Sequence, residues 1–416
     1  MTPEQAKAFR RRLLAWYRKH RRDLPWRAMN GREINPYHVL LSEAMLQQTQ
    51  VATVVPYFHR FIEAFPNMQA LAEADEQQVL TLWQGLGYYR RARNLHAAAR
   101  MIVDEFAGEV PSTATDLLKL PGVGQYTAGA IASIAYGTRA AVVDGNVERV
   151  FARLMLIEEP INAPATKKNV WSIAHELVPK PNPGDYNQAL MELGATICTP
   201  KLPKCFVCPV REHCRAVHET NPERLPVKLA KKKPKEVTHI VVAAKRNGKY
   251  LFEQRPSEGL WSNMWQLPTA EDVDAIDPLS PRERDGVRGR RSRKTKAMNR
   301  NRSSRKPPQP SAAPHPDPLP LGEGVKQTIA DWFEGRFGIK LDVQNQVTDF
   351  THQTTHRTIR FVVMHADVTS GRLKPNAGIW RKLDELDDLP MSNPQRKAVS
   401  QFVPVNPRSQ GHTYRP

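Results

Sequence analysis

The sequence predicts two folded units of different class, an all-α unit followed by an α+β unit. From residue 1 to about 215, apolar side chains recur at i, i+3 and i+4 between Pro and Gly breaks, which is typical of short amphipathic helices. Residues 221–236 have few apolar side chains and an excess of Lys and Pro, as in a linker. Near Val237 the pattern of apolar residues changes from that of helices to that of strands. We therefore expect roughly ten helices over 1–220 and a second unit over 237–405.

Composition limits the partners of the chain. Its 416 residues include 61 Lys and Arg against 42 Asp and Glu, and the net charge of +19 favours nucleic acid as a partner. The longest apolar stretches fall far short of the roughly 20 residues that cross a bilayer, so no membrane partner is expected. The basic N-terminus resembles a targeting peptide, but Phe9, Leu13 and Trp16 recur at helical spacing and favour a structural helix.

The second unit begins with a predicted hairpin that turns at Asn247-Gly248. A later helix is expected to end at Gly338. Between about 271 and 324 the pattern is interrupted: Arg282–Lys306 holds twelve Lys and Arg against two acidic residues, and seven prolines follow. Such a composition cannot bury enough apolar surface to fold, so we expect a disordered insertion there and a tail at 406–416.

Four cysteines are clustered in a C-x6-C-x2-C-x5-C pattern, as Cys198, Cys205, Cys208 and Cys214. This usage indicates a reducing, cytoplasmic compartment rather than a secreted disulfide framework. Four thiolates suit zinc as well as an iron–sulfur cluster, so the spacing alone leaves the metal open.

A second motif places Gly122-Val123-Gly124 directly before an apolar helix. Exposed N–H groups at such a turn can bind a phosphate, although an ordinary connection between two helices has the same pattern. Further along, Asp144 precedes Gly145, where Asp is either a turn residue or a functional carboxylate.

Together, these motifs resemble the endonuclease III superfamily of DNA glycosylases. The segment around Leu120–Gly124 is similar to the helix-hairpin-helix motif, at about 113–133, and the cysteine pattern is similar to the [4Fe–4S] loop at 198–214. Within the superfamily, residues 42–50, 85–89 and 144–147 resemble the MutY family of adenine glycosylases. The resemblance covers residues 8–215 and, more faintly, 238–400. It implies a [4Fe–4S] cluster, rather than zinc, on the four cysteines.

The resemblance implies removal of adenine mispaired with 8-oxoguanine or G in double-stranded DNA, by base flipping and hydrolysis of the N-glycosidic bond. Two carboxyl groups suit this reaction, because the leaving base needs a proton and the sugar develops positive charge. Glu43 matches the acid that protonates adenine at N7, and Asp144 matches the carboxylate at the sugar. The alternative for Glu43 is an exposed helix face. Gln48 and Tyr88 match side chains that the family inserts into the gap left by the flipped adenosine. The alternative for Gln48 is an exposed helix position, and the alternative for Tyr88 is a core aromatic.

Position 126 distinguishes two types of enzyme in the superfamily. Bifunctional members carry a Lys there that forms a Schiff base, whereas this chain has Tyr126, whose phenol cannot. The resemblance therefore implies a monofunctional glycosylase in which Tyr126 hydrogen-bonds near Asp144 or only packs. For the flipped base it implies polar contacts from Arg27, Gln188 and Glu192. It also implies apolar walls formed by Trp26 and Leu46, and the alternative for Trp26 is a structural plug.

The second unit resembles a Nudix fold in residues 254–268. The helix that should carry metal-binding glutamates lacks them at 331–338, so lesion recognition is expected rather than nucleotide hydrolysis. In the family, a Phe-Ser-His loop reads 8-oxoguanine on the opposite strand. The aligned Thr354-Thr355-His356 lacks the Phe, which leaves Thr355 and His356 as the expected DNA contacts and a surface hairpin as the alternative.

Two other functions remain open. A bifunctional, endonuclease III-like glycosylase and lyase is disfavoured by Tyr126 and by the second unit. A non-catalytic iron–sulfur protein that binds DNA would not need Glu43 together with Asp144. We expect a monomer that associates with the nucleoid through DNA.

Overall fold

The computed structural model describes residues 1–27, 33–229, 233–271 and 323–403. The chain divides into two compact units, Met1–Lys232 and Lys233–Pro416. Almost all of the expected insertion at 271–324 and the whole expected tail at 406–416 lie outside the described residues.

Within its described ranges, the regular elements of the first unit are all helices. Its α-helices are α1 (Pro3–His20), α2 (Pro36–Leu46), α3 (Val51–Ala64), α4 (Met68–Glu73), α5 (Glu76–Trp83), α6 (Arg90–Glu105), α7 (Ala114–Leu117), α8 (Gln125–Tyr136), α9 (Gly145–Met155), α10 (Pro164–Leu177), α11 (Pro183–Thr196) and α12 (Arg215–Glu219). The described part thus holds more helices than the roughly ten predicted, because α4, α7 and α12 span only six, four and five residues and carry almost no periodic signal.

Local sequence sets where the helices next to the cavity begin and end. Asn35 caps α2 by accepting hydrogen bonds from the N–H groups of Tyr37 and His38, and Pro36 occupies the first helical position. Asp144 caps α9 in the same way. The last turn of α8 ends at Gly137, whose φ of 66° is costly for a residue with a side chain.

Close packing around α8 brings the parts of the cavity together. Gly129 faces the backbone of Ala141, and a Cβ added there would lie 2.3 Å from the Ala141 carbonyl oxygen. Before the helix, Gly122 has a φ of 77°, and a Cβ on it would lie 2.6 Å from Asn94 Cβ. The helix that begins beside Tyr126 therefore approaches the segment that leads to Asp144.

The second unit contains a seven-stranded sheet. Its strands are β1 (Lys235–Arg246), β2 (Lys249–Gln254), β3 (Trp265–Gln266), β4 (Thr269–Glu271), β5 (Ile339–Gln353), β6 (Arg357–Gly371) and β7 (Ile379–Arg381), and its described helices are α13 (Glu323–Phe337) and α14 (Asn393–Val399). The main order is β3-β2-β1-β6-β5, with β4 paired to β1 and β7 to β2. The β1–β6 pair is parallel and the other named pairs are antiparallel.

Alternate residues of the sheet pack on opposite layers, as the two-residue period of a strand requires. Ile240 and Val242 belong to the core that holds α13, whereas Val241 and Ala243 belong to the core that holds α14. Both faces of β1 are therefore buried.

The structure confirms the predicted fold classes, all-α followed by α+β. The hairpin at Asn247-Gly248 is also confirmed, because Arg246 pairs with Lys249 and both turn residues have positive φ. Gly338 follows the last residue of α13 with a φ of 75°, as predicted for its end. Strand β1 begins at Lys235, slightly earlier than the predicted start of the second unit. Within the described ranges, no helix has both the length and the apolar character that a membrane crossing requires.

Candidate functional site

A cavity of about 770 Å³ lies in the first unit and is lined by residues of α2, α8, α9 and α11. Nine of the predicted site residues line it, namely Trp26, Arg27, Glu43, Leu46, Gln48, Tyr126, Asp144, Gln188 and Glu192. Residues far apart in sequence thus meet on one wall.

Glu43 lies in the middle of α2 and is 5% exposed, so it does not occupy an exposed helix face. Among the described residues, its Oε2 atom is buried without a hydrogen-bond partner. Burial, with a smaller contribution from the Asp144 carboxylate, raises the pKa of this carboxyl to about 7, although a hydrogen bond with Tyr126 and the charge of Arg27 oppose the increase. The group can therefore hold a proton near neutral pH.

Asp144 faces the same cavity from the N-terminus of α9. Its Oδ1 accepts hydrogen bonds from the N–H groups of Val147, at 2.7 Å, and Asn146, at 3.0 Å, and its Oδ2 accepts from Asn146 Nδ2 at 2.9 Å. Burial raises the pKa of this carboxyl, but these bonds and the charge of Arg149 oppose the increase. Asp144 is both a helix cap and a carboxylate on the cavity wall.

Tyr126 lines the same cavity as the two acids. Its hydroxyl donates to Met191 Sδ at 3.5 Å, and it also forms a hydrogen bond with Glu43. Burial raises the pKa of the phenol well above its usual value, and the charges of Glu43 and Asp144 add to this. Tyr126 is therefore a neutral phenol close to two carboxyl groups.

An ion-pair network forms another part of the wall. Glu192, 1% exposed, accepts from Arg22 Nε at 2.6 Å and from Arg27 Nη2 at 2.9 Å. Burial tends to raise the Glu192 pKa, but the bonds from the two arginines outweigh it and the net shift is downward. The predicted base-contacting residues Arg27 and Glu192 are thus bound to each other, with Arg22 as a third member that sequence reasoning missed.

The remaining predicted wall residues also reach the cavity. Trp26 is 8% exposed and meets the edge of Phe58 at a ring distance of 5.2 Å, so it packs into the core while it lines the cavity. Leu46 is half-buried at the end of α2, and Gln188 lies on α11. An apolar wall and an amide are therefore available to a planar ligand.

Gln48 and Tyr88 are both exposed, and both have positive φ, at 58° and 51°. Gln48 lines the cavity, whereas Tyr88 is 51% exposed on a neighbouring loop and is not a core aromatic. Gly122 and Gly124 lie at the start of α8 outside this cavity, with Gly124 as the residue that precedes the helix.

The four cysteines meet at a different place in the same unit. All are free thiols and all line one small cavity of about 30 Å³, together with Arg153 and Arg211. Arg153 Nη1 donates to Cys198 Sγ at 3.3 Å. In the described ranges, no three His, Cys, Asp or Glu side chains are grouped tightly enough to hold one metal ion. Four cysteine thiols at one place are the donor set of both structural zinc sites and iron–sulfur clusters.

Thr355 and His356 belong to the second unit. They are exposed at the tip of the β5–β6 hairpin, where the Arg357 N–H donates to Thr354 Oγ1 at 3.1 Å. A surface hairpin is thus what the structure contains at this loop, and its tip is accessible to a ligand.

Other cavity residues were not predicted. Asn146 donates a hydrogen bond to the Asp144 carboxylate, and Arg149 Nη2 donates to Asn146 Oδ1 at 2.8 Å. Lys228 reaches the cavity from the expected linker, because the Val227 carbonyl accepts from the Ile161 N–H at 2.8 Å. The Asp-Gly-Asn motif was a signal for Asn146, but the sequence carries none for Lys228.

Comparison with known proteins shows which family and which solved structures this chain is similar to. Residues 41–179 match the HhH-GPD superfamily of base excision DNA repair proteins. A solved structure of a thermostable thymine-DNA glycosylase is similar at 29% identity and a TM-score of 0.46, covering 52% of this chain and 97% of that one.

Curated relatives are similar over a longer stretch. The adenine DNA glycosylase of Rattus norvegicus is 41% identical over 310 residues, which cover 63% of this chain and 60% of the relative, so the match spans well under two thirds of that protein. That of Schizosaccharomyces pombe is 36% identical over 326 residues, covering 65% of this chain and 71% of the relative. The chain therefore belongs to the adenine DNA glycosylase family within the HhH-GPD superfamily.

Proposed function

We propose that the protein is a DNA repair enzyme that removes adenine mispaired with 8-oxoguanine or G, by hydrolysis of the N-glycosidic bond. One observation carries this proposal: a buried carboxyl with a raised pKa, Glu43, shares a cavity with a hydrogen-bonded carboxylate, Asp144. A neutral acid beside an anion is the arrangement that nucleoside cleavage requires.

In the proposed reaction, protonated Glu43 gives its proton to N7 of the flipped adenine, so that the base leaves as a neutral molecule. Asp144 remains ionised because Asn146 and Val147 donate hydrogen bonds to it, and its charge stabilises the positive sugar. Water then adds at the anomeric carbon and its surplus proton is lost to solvent or a carboxylate. Tyr126 stays a neutral phenol and offers no amine, which supports a monofunctional enzyme.

Selection of adenine is proposed to use the polar wall. Gln188 supplies an amide on α11. Arg27 and Glu192 are already hydrogen-bonded to each other, so they would contact the base as a fixed pair rather than as independent side chains. Trp26 and Leu46 cover the faces of the base. A base that left this polar wall unpaired would be rejected.

The DNA surface is proposed to include both units. Exposed Gln48 and Tyr88 would fill the gap left by the flipped adenosine, and the turn at Gly122 and Gly124 would hold a phosphate. In the second unit, exposed Thr355 and His356 would contact the base opposite adenine. We further propose that the protein acts as a monomer and stays at the nucleoid through DNA.

We infer that Cys198, Cys205, Cys208 and Cys214 hold a [4Fe–4S] cluster. Two arginines, Arg153 and Arg211, line the same cavity as the four cysteines, and their positive charges would offset the negative charge of the thiolates that hold the cluster. The bound cluster would fix the loop 198–214, and it supplies no chemistry to base removal.

Three duplexes separate the candidate functions. We expect adenine release from A opposite 8-oxoguanine and A opposite G, with strand breaks only after alkali and little adduct after borohydride. A third duplex with an oxidised pyrimidine should remain intact. Pyrimidine release with direct strand breaks would indicate the bifunctional enzyme, and tight binding without any release would indicate a non-catalytic protein.

Substituting either acid should separate binding from chemistry. Glu43→Gln removes the proton donor and Asp144→Asn removes the charge, so each should lower single-turnover excision by roughly 100-fold or more. Mismatch binding should persist in gel-shift titrations. The matched control is Glu148→Gln, because Glu148 lies on α9, the helix that Asp144 caps, but does not line the cavity. A rate for either variant within about threefold of wild type would refute the assigned roles.

The excision rate should depend on pH in a bell shape. Glu43 must be protonated, so the rate should fall as pH rises through its pKa of about 7. Asp144 must be ionised, so the rate should also fall at acid pH, below its raised pKa. Single-turnover rates across the neutral range test this. A rate that stays constant on the alkaline side would show that Glu43 is not the acid.

Purified protein should be brown, with broad visible absorption and iron and sulfide in equal amounts. Removal of the metal by chelation after oxidation should lower the melting temperature of the first unit, because a closed loop loses its crosslink. Cys205→Ser should lose the brown colour and show the same lower melting temperature. One zinc per chain and no iron would exclude the cluster.

A further inference from the structure

Arg91 is a buried cation that none of the chemistry above uses. It lies near the start of α6 and is 9% exposed. Burial lowers the pKa of its guanidinium to about 10, which still leaves it charged at neutral pH. Burying an ionised group is unfavourable unless its neighbours compensate for the lost water, so the partners of Arg91 show what the fold gains from it.

The first set of partners is the end of the helix that carries Glu43. Nη1 of Arg91 donates to the carbonyl oxygens of Ala44, at 2.9 Å, and Met45, at 2.7 Å, in the last turn of α2. These carbonyls have no acceptor role within the helix, and a cation there also meets the negative end of the helix dipole. Arg91 therefore fixes the turn of α2 that follows Glu43.

The second set of partners lies in the two loops that contain Gln48 and Tyr88, the exposed residues with positive φ. Nη2 donates to Thr49 Oγ1 at 3.1 Å, next to Gln48, and to the Gly87 carbonyl at 3.1 Å, next to Tyr88. The guanidinium also lies 5.4 Å from the centre of the Tyr88 ring. The backbone N–H of Arg91 donates to the Tyr88 carbonyl at 2.8 Å.

We propose that Arg91 is a positioning residue that joins the Gln48 loop, the Tyr88 loop and the end of α2 into one rigid element, so that both exposed side chains enter the DNA together. The proposal rests on the proposed function, because it concerns how that reaction's substrate is flipped. A planar guanidinium with five donors can serve these partners at once, whereas a lysine ammonium cannot.

The test uses the full chain and a duplex with 2-aminopurine beside the target adenine, whose fluorescence rises when the adenine leaves the stack. Arg91→Met should abolish that rise and lower single-turnover excision roughly 10- to 100-fold, because a displacement of about 1 Å can have that effect. Binding to undamaged duplex should stay unchanged. Arg91→Lys should recover part of both signals. Arg100→Met is the control, since Arg100 also lies on α6 and donates to the carbonyl of Ala72.

A double-mutant comparison separates positioning from general stability. In a chain that carries Gln48→Ala and Tyr88→Ala, Arg91→Met should lower excision by less than about threefold further, because the side chains that it positions are gone. The same large loss in both backgrounds would overturn the proposal. If Arg91→Met lowers the melting temperature too far for assay, Arg91→Lys is compared in the same two backgrounds, with the same criterion.

The outcome also distinguishes this proposal from the proposed function. A wild-type protein that gives the fluorescence rise but releases no adenine would refute the enzyme activity and leave the role of Arg91 open to the same fluorescence comparison. Wild-type excision with an unaltered fluorescence rise in Arg91→Met would refute the positioning role alone.

Discussion

The removal of two carboxyl groups from water in one cavity is the constraint on which the site depends. Both acids are subject to the same upward effect of burial on pKa, yet their environments differ. Asp144 accepts three hydrogen bonds at the start of a helix, whereas Glu43 Oε2 has no partner among the described residues. The proton is therefore expected on Glu43, and neutralising it also removes the repulsion between the two acids.

The other charges of the cavity are compensated in a different way. Glu192 is as buried as Glu43, but Arg22 and Arg27 surround it and keep its pKa low. The cavity thus has a salt-bridged wall and a wall with an acid, Glu43, that forms no ion pair among the described residues. Since a buried charge pair is costly to separate, the salt-bridged wall is fixed in place, and only the acid wall is free to exchange a proton.

Much of this arrangement was predictable from short motifs. The segment around Glu43, the glycine turn before α8 and Asp144 with Gly145 each occur within a few residues, so their spacing is visible in the sequence. The partners of these motifs were not predictable in the same way. Arg22 and Glu192 are 170 residues apart, and Lys228 reaches the cavity only because a segment with linker-like composition is hydrogen-bonded back onto the first unit. Burial decides such contacts, and one sequence does not reveal it.

The Thr354–His356 loop shows a different limit. The family pattern aligned these residues, and the structure adds that they form the tip of a hairpin whose strands are paired down to Gln353 and Thr358. The exposure of the tip follows from the sheet and not from the residues within it.

The parallel pairing of β1 with β6 has a consequence for synthesis of the chain. Lys235 pairs with Arg357, so the central strand of the second unit cannot be enclosed until a much later part of the chain has left the ribosome. The helices of the first unit precede it in the chain, so they can complete their core first. Between these two events β1 lacks one neighbour and exposes Val241, Val242 and Ala243, which are buried in the finished fold, so we expect chaperones to bind this strand during synthesis.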